Sequence, residues 1–143
     1  MRTPVLVIFA ALAVLVASYV AWQQYSSRGG AVVDPAGASA AERGELAAWA
    51  RAVREAADDA AAATAVRERL HPAVPEDRRA DLAKAVAFRL RWVDAAAPAD
   101  VTAMRDGVVR AVWLHRRPTG FTQLILLFRR GDGDRLYLLG VMP

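Results

Sequence analysis

Few residues in this 143-residue chain have the type and spacing to do chemistry. The two histidines, His71 and His115, fall in different elements, without a cysteine or a His-x-x-x-His repeat beside them. A metal site would need carboxylates recruited from elsewhere. Asp58-Asp59 and Asp132/Asp134 could act as acid pairs or calcium ligands. The second pair sits in Gly-Asp-Gly-Asp, which is turn chemistry, and lacks the terminal Glu of a calcium-binding loop. Serines and threonines are sparse, and none occupies a Gly-x-Ser-x-Gly elbow. No Gly-x-Gly-x-x-Gly or Walker-type loop is present. With no Cys, disulfides, thiol catalysis, thiolate metal sites and lipoprotein anchors are excluded. The sequence therefore offers no catalytic, cofactor-binding or metal-binding residue, and the expectation is a protein that is not an enzyme and carries no cofactor.

Two other groups of side chains are candidates for binding. Arg116-Arg117 and Arg129-Arg130 end successive apolar stretches, and in an antiparallel hairpin they fall at opposite ends, as flanking charges rather than one anion site. Trp49, Trp92 and Trp113 sit one each on two helices and a strand, and core packing is the default for such rings. The pI near 10.3 suggests nucleic acid, but the net charge is only +4. Residues 31–104 carry 10 basic and 12 acidic side chains, and residues 105–143 carry 7 Arg against 3 Asp. Such mixed charge is a solvated surface, and no nucleic-acid partner is expected.

The elements that must position these groups begin with a membrane address. Residues 5–17 are uncharged and apolar, and no charge appears between Arg2 and Arg28. About 20 apolar residues cross a bilayer, so residues 4–25 read as a transmembrane anchor behind a short cytoplasmic stub, 1–3. Tyr19, Trp22 and Tyr25 cluster where an aromatic belt meets the membrane interface. Arg2 before the span gives a thin bias toward a cytoplasmic N-terminus and an extracytoplasmic C-terminal domain on a bacterial inner membrane. A cleaved signal peptide is the competing reading, but Leu15 and Tyr19 are large for the −3 position of a cut after Ala17 or Ala21.

Residues 26–38 lack periodicity and read as a flexible tether, which leaves 39–143 as one small α+β domain. Ser39 and Glu42 form a capping box. The helix after it carries Leu46, Trp49, Val53 and Ala57 on one stripe, and is expected to continue through Val66 to Leu70. Pro72 and Pro75 break the chain. A second helix with Leu82, Val86, Leu90 and Val93 in its stripe runs to about Ala95, with Phe88 and Trp92 as an adjacent i, i+4 pair. Pro98 can open a short third helix carrying Val101 and Met104, closed by Asp106-Gly107. From Val108 the period becomes 2, and three strands follow: 108–116, 121–130 and 135–142. The expected fold is thus two to three helices packed on a three-stranded antiparallel sheet.

The middle strand is apolar on both faces. Phe121, Ile125 and Leu127 point one way, Leu124, Leu126 and Phe128 the other. Helices can cover one face, and an antiparallel sheet ordinarily leaves the other polar. We therefore expect Phe121, Ile125, Leu127, Tyr137 and Leu139 to form a partner-binding sheet face, through which a membrane-tethered interaction or assembly domain holds another envelope protein or a second copy beside the bilayer. Helices followed by an antiparallel sheet behind an anchor also resemble, in element order, the cone-shaped domains of the nuclear transport factor 2-like superfamily. That resemblance implies a small-ligand pocket with Trp92 or Trp113 in its wall.

Overall fold

The computed structural model describes residues 37–133 and 135–142. The stub 1–3, the anchor 4–25, most of the tether and the interface aromatics Tyr19, Trp22 and Tyr25 lie outside the described residues. Among those described, no helix is long and apolar enough to cross a membrane. Three helices lie on one side of a four-stranded antiparallel sheet, an α+β arrangement.

Helix α1 spans Ala40–Arg54. Ser39 caps it, its hydroxyl accepting from the Glu42 N–H at 3.1 Å. The stripe Leu46, Trp49, Ala50 and Val53 is buried, as its spacing requires. The expected continuation to Leu70 is corrected: α1 stops at Arg54, and a separate helix α2 spans Asp59–Arg67. The break falls where Asp58 turns extended and its carboxylate accepts from the Ala61 N–H at 2.7 Å. A fresh start supplies an orphan amide with an acceptor, which a continuous helix would not need. Arg91 bridges the break, donating to Ala56 O at 3.3 Å and to the Asp59 carboxylate at 3.1 Å. Asp58→Ala is expected to cost about 1 kcal/mol, the usual worth of an N-cap. A shift in denaturation midpoint with an unchanged slope measures it.

Helix α3 spans Glu76–Leu90, ending before the expected Ala95. The Trp92 and Val93 amides tighten to i−3 bonds on Arg89 O and Leu90 O, and the chain then joins the sheet: Asp94 N–H donates to Leu114 O at 2.9 Å, and Ala99 N–H to Val112 O at 2.7 Å. The third helix expected after Pro98 is also corrected. That segment is strand β1, Asp100–Ala103, in which Val101 and Ala103 alternate inward with Asp100 and Thr102 outward. A three-residue 3₁₀ turn, Arg105–Gly107, with Asp106 and Gly107 at positive φ, returns the chain into β2.

Strands β2 (Val108–Arg117), β3 (Gly120–Arg130) and β4 (Leu136–Met142) complete a sheet in the order β1-β2-β3-β4. The three-strand expectation is thus raised to four, every pairing antiparallel. Strand β4 carries a bulge opposite Leu127/Phe128, where Leu139 is the extra residue between Leu138 and Gly140. The core lies between helices and sheet: Leu46, Trp49, Val53, Val66, Val86 and Leu90 meet Val109, Trp113, Leu124, Leu126, Phe128 and Leu138. Trp49, Trp113 and Phe128 form an edge-on aromatic cluster at its centre, with centroids 5.5–6.5 Å apart.

Candidate functional site

The sheet's two faces differ sharply. Odd-numbered residues of β2 and even-numbered residues of β3 point into the helix-side core. The others form a second face, and none of them belongs to that core. The register aligns them in rows. Val112 stands between Asp100 and Ile125, and Ile125 beside Met142. Arg110 stands between Thr102 and Leu127, and Leu127 beside Gly140. Leu114 is opposite Gln123, and Arg129 lies between Val108 and Tyr137. Val112, between neighbours on both sides, is only 8% exposed, while Leu114, Ile125, Leu127, Tyr137 and Leu139 are half-buried.

Four of the five residues expected to form the partner-binding face are therefore placed as follows. Ile125 and Leu127 are central, Tyr137 is at the margin beside Arg129, and Leu139 occupies the bulge. Phe121 is in register with Arg116 at the hairpin end. The apolar strip is crossed by cations. Arg110 reaches Asp100 at 3.7 Å, and its buried Nε has no hydrogen-bond partner among the described residues. Arg129 donates to Asp106 O at 3.1 Å.

The sheet edges offer less than the face. The edge of the last strand, a natural place for a partner to add, is occupied at two residues. Leu138 N–H donates to Arg69 O at 2.7 Å, and Leu138 O accepts from His71 N–H at 2.8 Å, a parallel bridge centred on Leu70. Leu136 O accepts from Arg69 at 3.3 Å, and Leu136 N–H donates to Glu45 at 3.4 Å. Glu45 in turn pairs with Arg69. On the far side β1 has four residues, and Arg43 holds Val101 O at 3.1 Å. Such covering hinders strand addition at Leu136, Leu138 and Val101.

The remaining chemistry-bearing residues resolve individually. His71 Nδ1 accepts from Ala73 N–H at 3.0 Å, a local turn contact. His115 stands 3.9 Å from Asp94, whose carboxylate accepts the Arg116 N–H at 3.1 Å. Among the described residues no three His, Asp or Glu side chains gather where a metal could be held. Trp49 and Trp113 are core, their indole N–H groups donating to Ala65 O at 3.3 Å and Ala96 O at 2.8 Å. Arg116-Arg117 and Arg129-Arg130 do stand at opposite ends of the hairpin. Arg130, however, is more than a flanking charge. It forks onto the buried Glu42 carboxylate, Nε to Oε1 at 3.0 Å and Nη2 to Oε2 at 3.4 Å, and it also donates to Gly37 O at 3.1 Å. A capping box gives the Glu42 carboxylate a local backbone role; its side chain is instead engaged across 88 residues of sequence.

One concave site was not anticipated as a whole. Phe88 and Trp92 are 65% and 60% exposed, and with His115, Arg117 and Leu124 they wall a cleft of about 210 Å³ at the hairpin end, on the helix side of the sheet. Its signal in the sequence is that both rings fall off the stripe Leu82, Val86, Leu90, Val93.

Comparison with known proteins returns no match to a protein-family model, to a curated protein or to a solved structure.

Proposed function

We propose that this chain is a single-pass, membrane-anchored, non-enzymatic interaction domain on the outer side of a bacterial inner membrane, and that its partner is a second envelope protein laid across the open face of the sheet. The observation that carries this reading is the row of apolar side chains Val112, Leu114, Ile125 and Leu127 on the face that no described helix covers. An antiparallel sheet with nothing to bind turns polar residues outward there. The apolar block at residues 5–17 supports the membrane address.

Charge selects between a different protein and a second copy. Arg110 and Arg129 stand on this face against Asp100, so stacking two copies face to face sets cations near cations. A partner with an apolar strip flanked by carboxylates meets the same face favourably and supplies an acceptor for Arg110 Nε.

A photo-activatable cross-linking residue at position 127 of the full chain, in its membrane, tests this. It is expected to give one discrete adduct with a different protein, lost on Arg110→Glu and absent when the probe sits at exposed Arg51 on α1. An adduct with the mass of two copies overturns the choice of partner, and no adduct from 125 or 127 overturns the reading. A reporter active only after export, fused after Pro143, is expected to be active; its silence overturns the location.

A further inference from the structure

We propose that the cleft walled by Phe88, Trp92, His115 and Arg117 is a binding site for a small, single-ring aromatic carboxylate. This site is separate from the open face of the sheet and does not depend on it. The residues come from two elements that meet for other reasons. The C-terminal end of α3 and the chain just past it present Phe88 and Trp92, whose ring centroids are 6.4 Å apart at 55°. The β2–β3 hairpin presents His115 and Arg117 on the same side, because odd positions of β2 face the helices. Trp92 stands edge-on to His115 at 6.5 Å. Leu124 and Val93, each 3% exposed, form an apolar floor.

Size and chemistry fix the class of ligand. A dry cavity of about 150 Å³ accepts benzene, so about 210 Å³ accommodates one ring and a small substituent. The two exposed rings supply stacking or edge contacts to a planar π system. The two neighbouring rings, both more than half exposed, make one contiguous apolar patch of the kind that marks a binding site. Arg117 supplies the polar selection. Its side chain is exposed and takes part in no hydrogen bond, ion pair or ring contact among the described residues. Arg89, the other cation of the wall, is already committed to Gln123 O at 3.0 Å. An unpaired guanidinium at the mouth of an aromatic cleft favours a carboxylate, which it can hold through paired N–H donors. The Asp94 carboxylate accepts from the Arg116 backbone N–H through both oxygens and makes no ion pair with Arg117.

The test uses benzoate as the probe and benzyl alcohol as its uncharged counterpart, added to the full-length chain labelled with ¹⁵N at its tryptophan side chains. Benzoate is expected to shift the Trp92 indole resonance saturably at millimolar concentrations, with the resonances of core Trp49 and Trp113 unmoved as an internal check on folding. Benzyl alcohol is expected to bind at least roughly tenfold more weakly, and Arg117→Gln to weaken benzoate by a similar factor, the scale of one charge-assisted hydrogen bond. Trp92→Ala, an exposed position, is expected to abolish benzoate binding, read through the His115 ring resonances. Absence of a saturable Trp92 shift overturns the proposal. So does equal binding of the alcohol, or full affinity in Arg117→Gln.

Discussion

Trp113→Ala is expected to remove about 3–5 kcal/mol of stability, the range for truncating a buried large aromatic. Trp113 is fully buried and packs on Trp49 and Phe128 with centroids 6.4 and 6.5 Å away. Its indole N–H is also bonded, at 2.8 Å, to Ala96 O in the connection between α3 and β1. The substitution therefore opens a cavity beneath the helices and leaves a half-buried carbonyl without its donor. Domains of this size are stable by about 5–15 kcal/mol, so the variant sits near the edge of folding. Trp113→Phe fills most of the space and loses the hydrogen bond, and is expected to cost about half as much. Chemical denaturation followed by far-ultraviolet dichroism reads both variants. A loss under about 1 kcal/mol for Trp113→Ala would mean that Trp113 is not central to the core.

Glu42→Ala is expected to cost about 2–3 kcal/mol, well above the loss of an exposed charge. Glu42 is 7% exposed, and its carboxylate accepts both arms of the Arg130 fork. Removing one member of a buried pair strands the other charge, which costs about 3–5 kcal/mol at full burial. Arg130 keeps partial access to water, at 28% of its side chain, which lowers the figure. The asymmetry is the diagnostic feature. Glu42→Ala combined with Arg130→Met removes both charges and is expected to recover at least half of the loss. A double-mutant cycle measures the coupling, expected at about 1–3 kcal/mol. Strict additivity of the two substitutions would sink the idea that they act as a unit. Arg130 also holds Gly37 O, so its loss should release the start of the domain ahead of α1.

The long strands could be read from the sequence because Val108–Arg117 and Gly120–Arg130 are runs of ten or more residues rich in β-branched, leucine and aromatic side chains, set off by Asp-Gly, Pro-Thr-Gly and Gly-Asp-Gly turns. Strand β1 could not. It has four residues, and the spacing of Pro98, Val101 and Met104 fits a helical turn; only pairing with β2 makes the segment a strand, with Val101 and Ala103 inward. The break between α1 and α2 was hidden for a related reason. Alanine suits a helix anywhere and marks no face, so the run from Ala60 to Ala63 carried no sign that a new helix had begun at Asp59. The two-sided apolar character of β3 was plain in Ile125, Leu127, Leu124 and Leu126, but which side the helices take depends on register and crossing geometry that one sequence does not encode locally. Glu42 and Arg130 are 88 residues apart, and the cleft joins α3 to a hairpin more than 20 residues on. Contacts at that range have no local pattern to betray them. Trp92 and Trp113 both read as core aromatics by default, and folding made one a wall and the other a core.

The bridge at Leu138 bears on how the protein behaves before it is fully folded. Both backbone polar groups of Leu138 are satisfied by the Arg69–His71 segment, which follows closely on α2. Until that segment docks, a seven-residue strand rich in leucine presents a bare edge, and such edges recruit like edges from other molecules. Docking of α2 is thus the event that ends the exposure to misassembly. Changes that loosen α2 by as little as the loss of its Asp58 cap should show up first as precipitation on refolding at high concentration, before any marked loss of equilibrium stability.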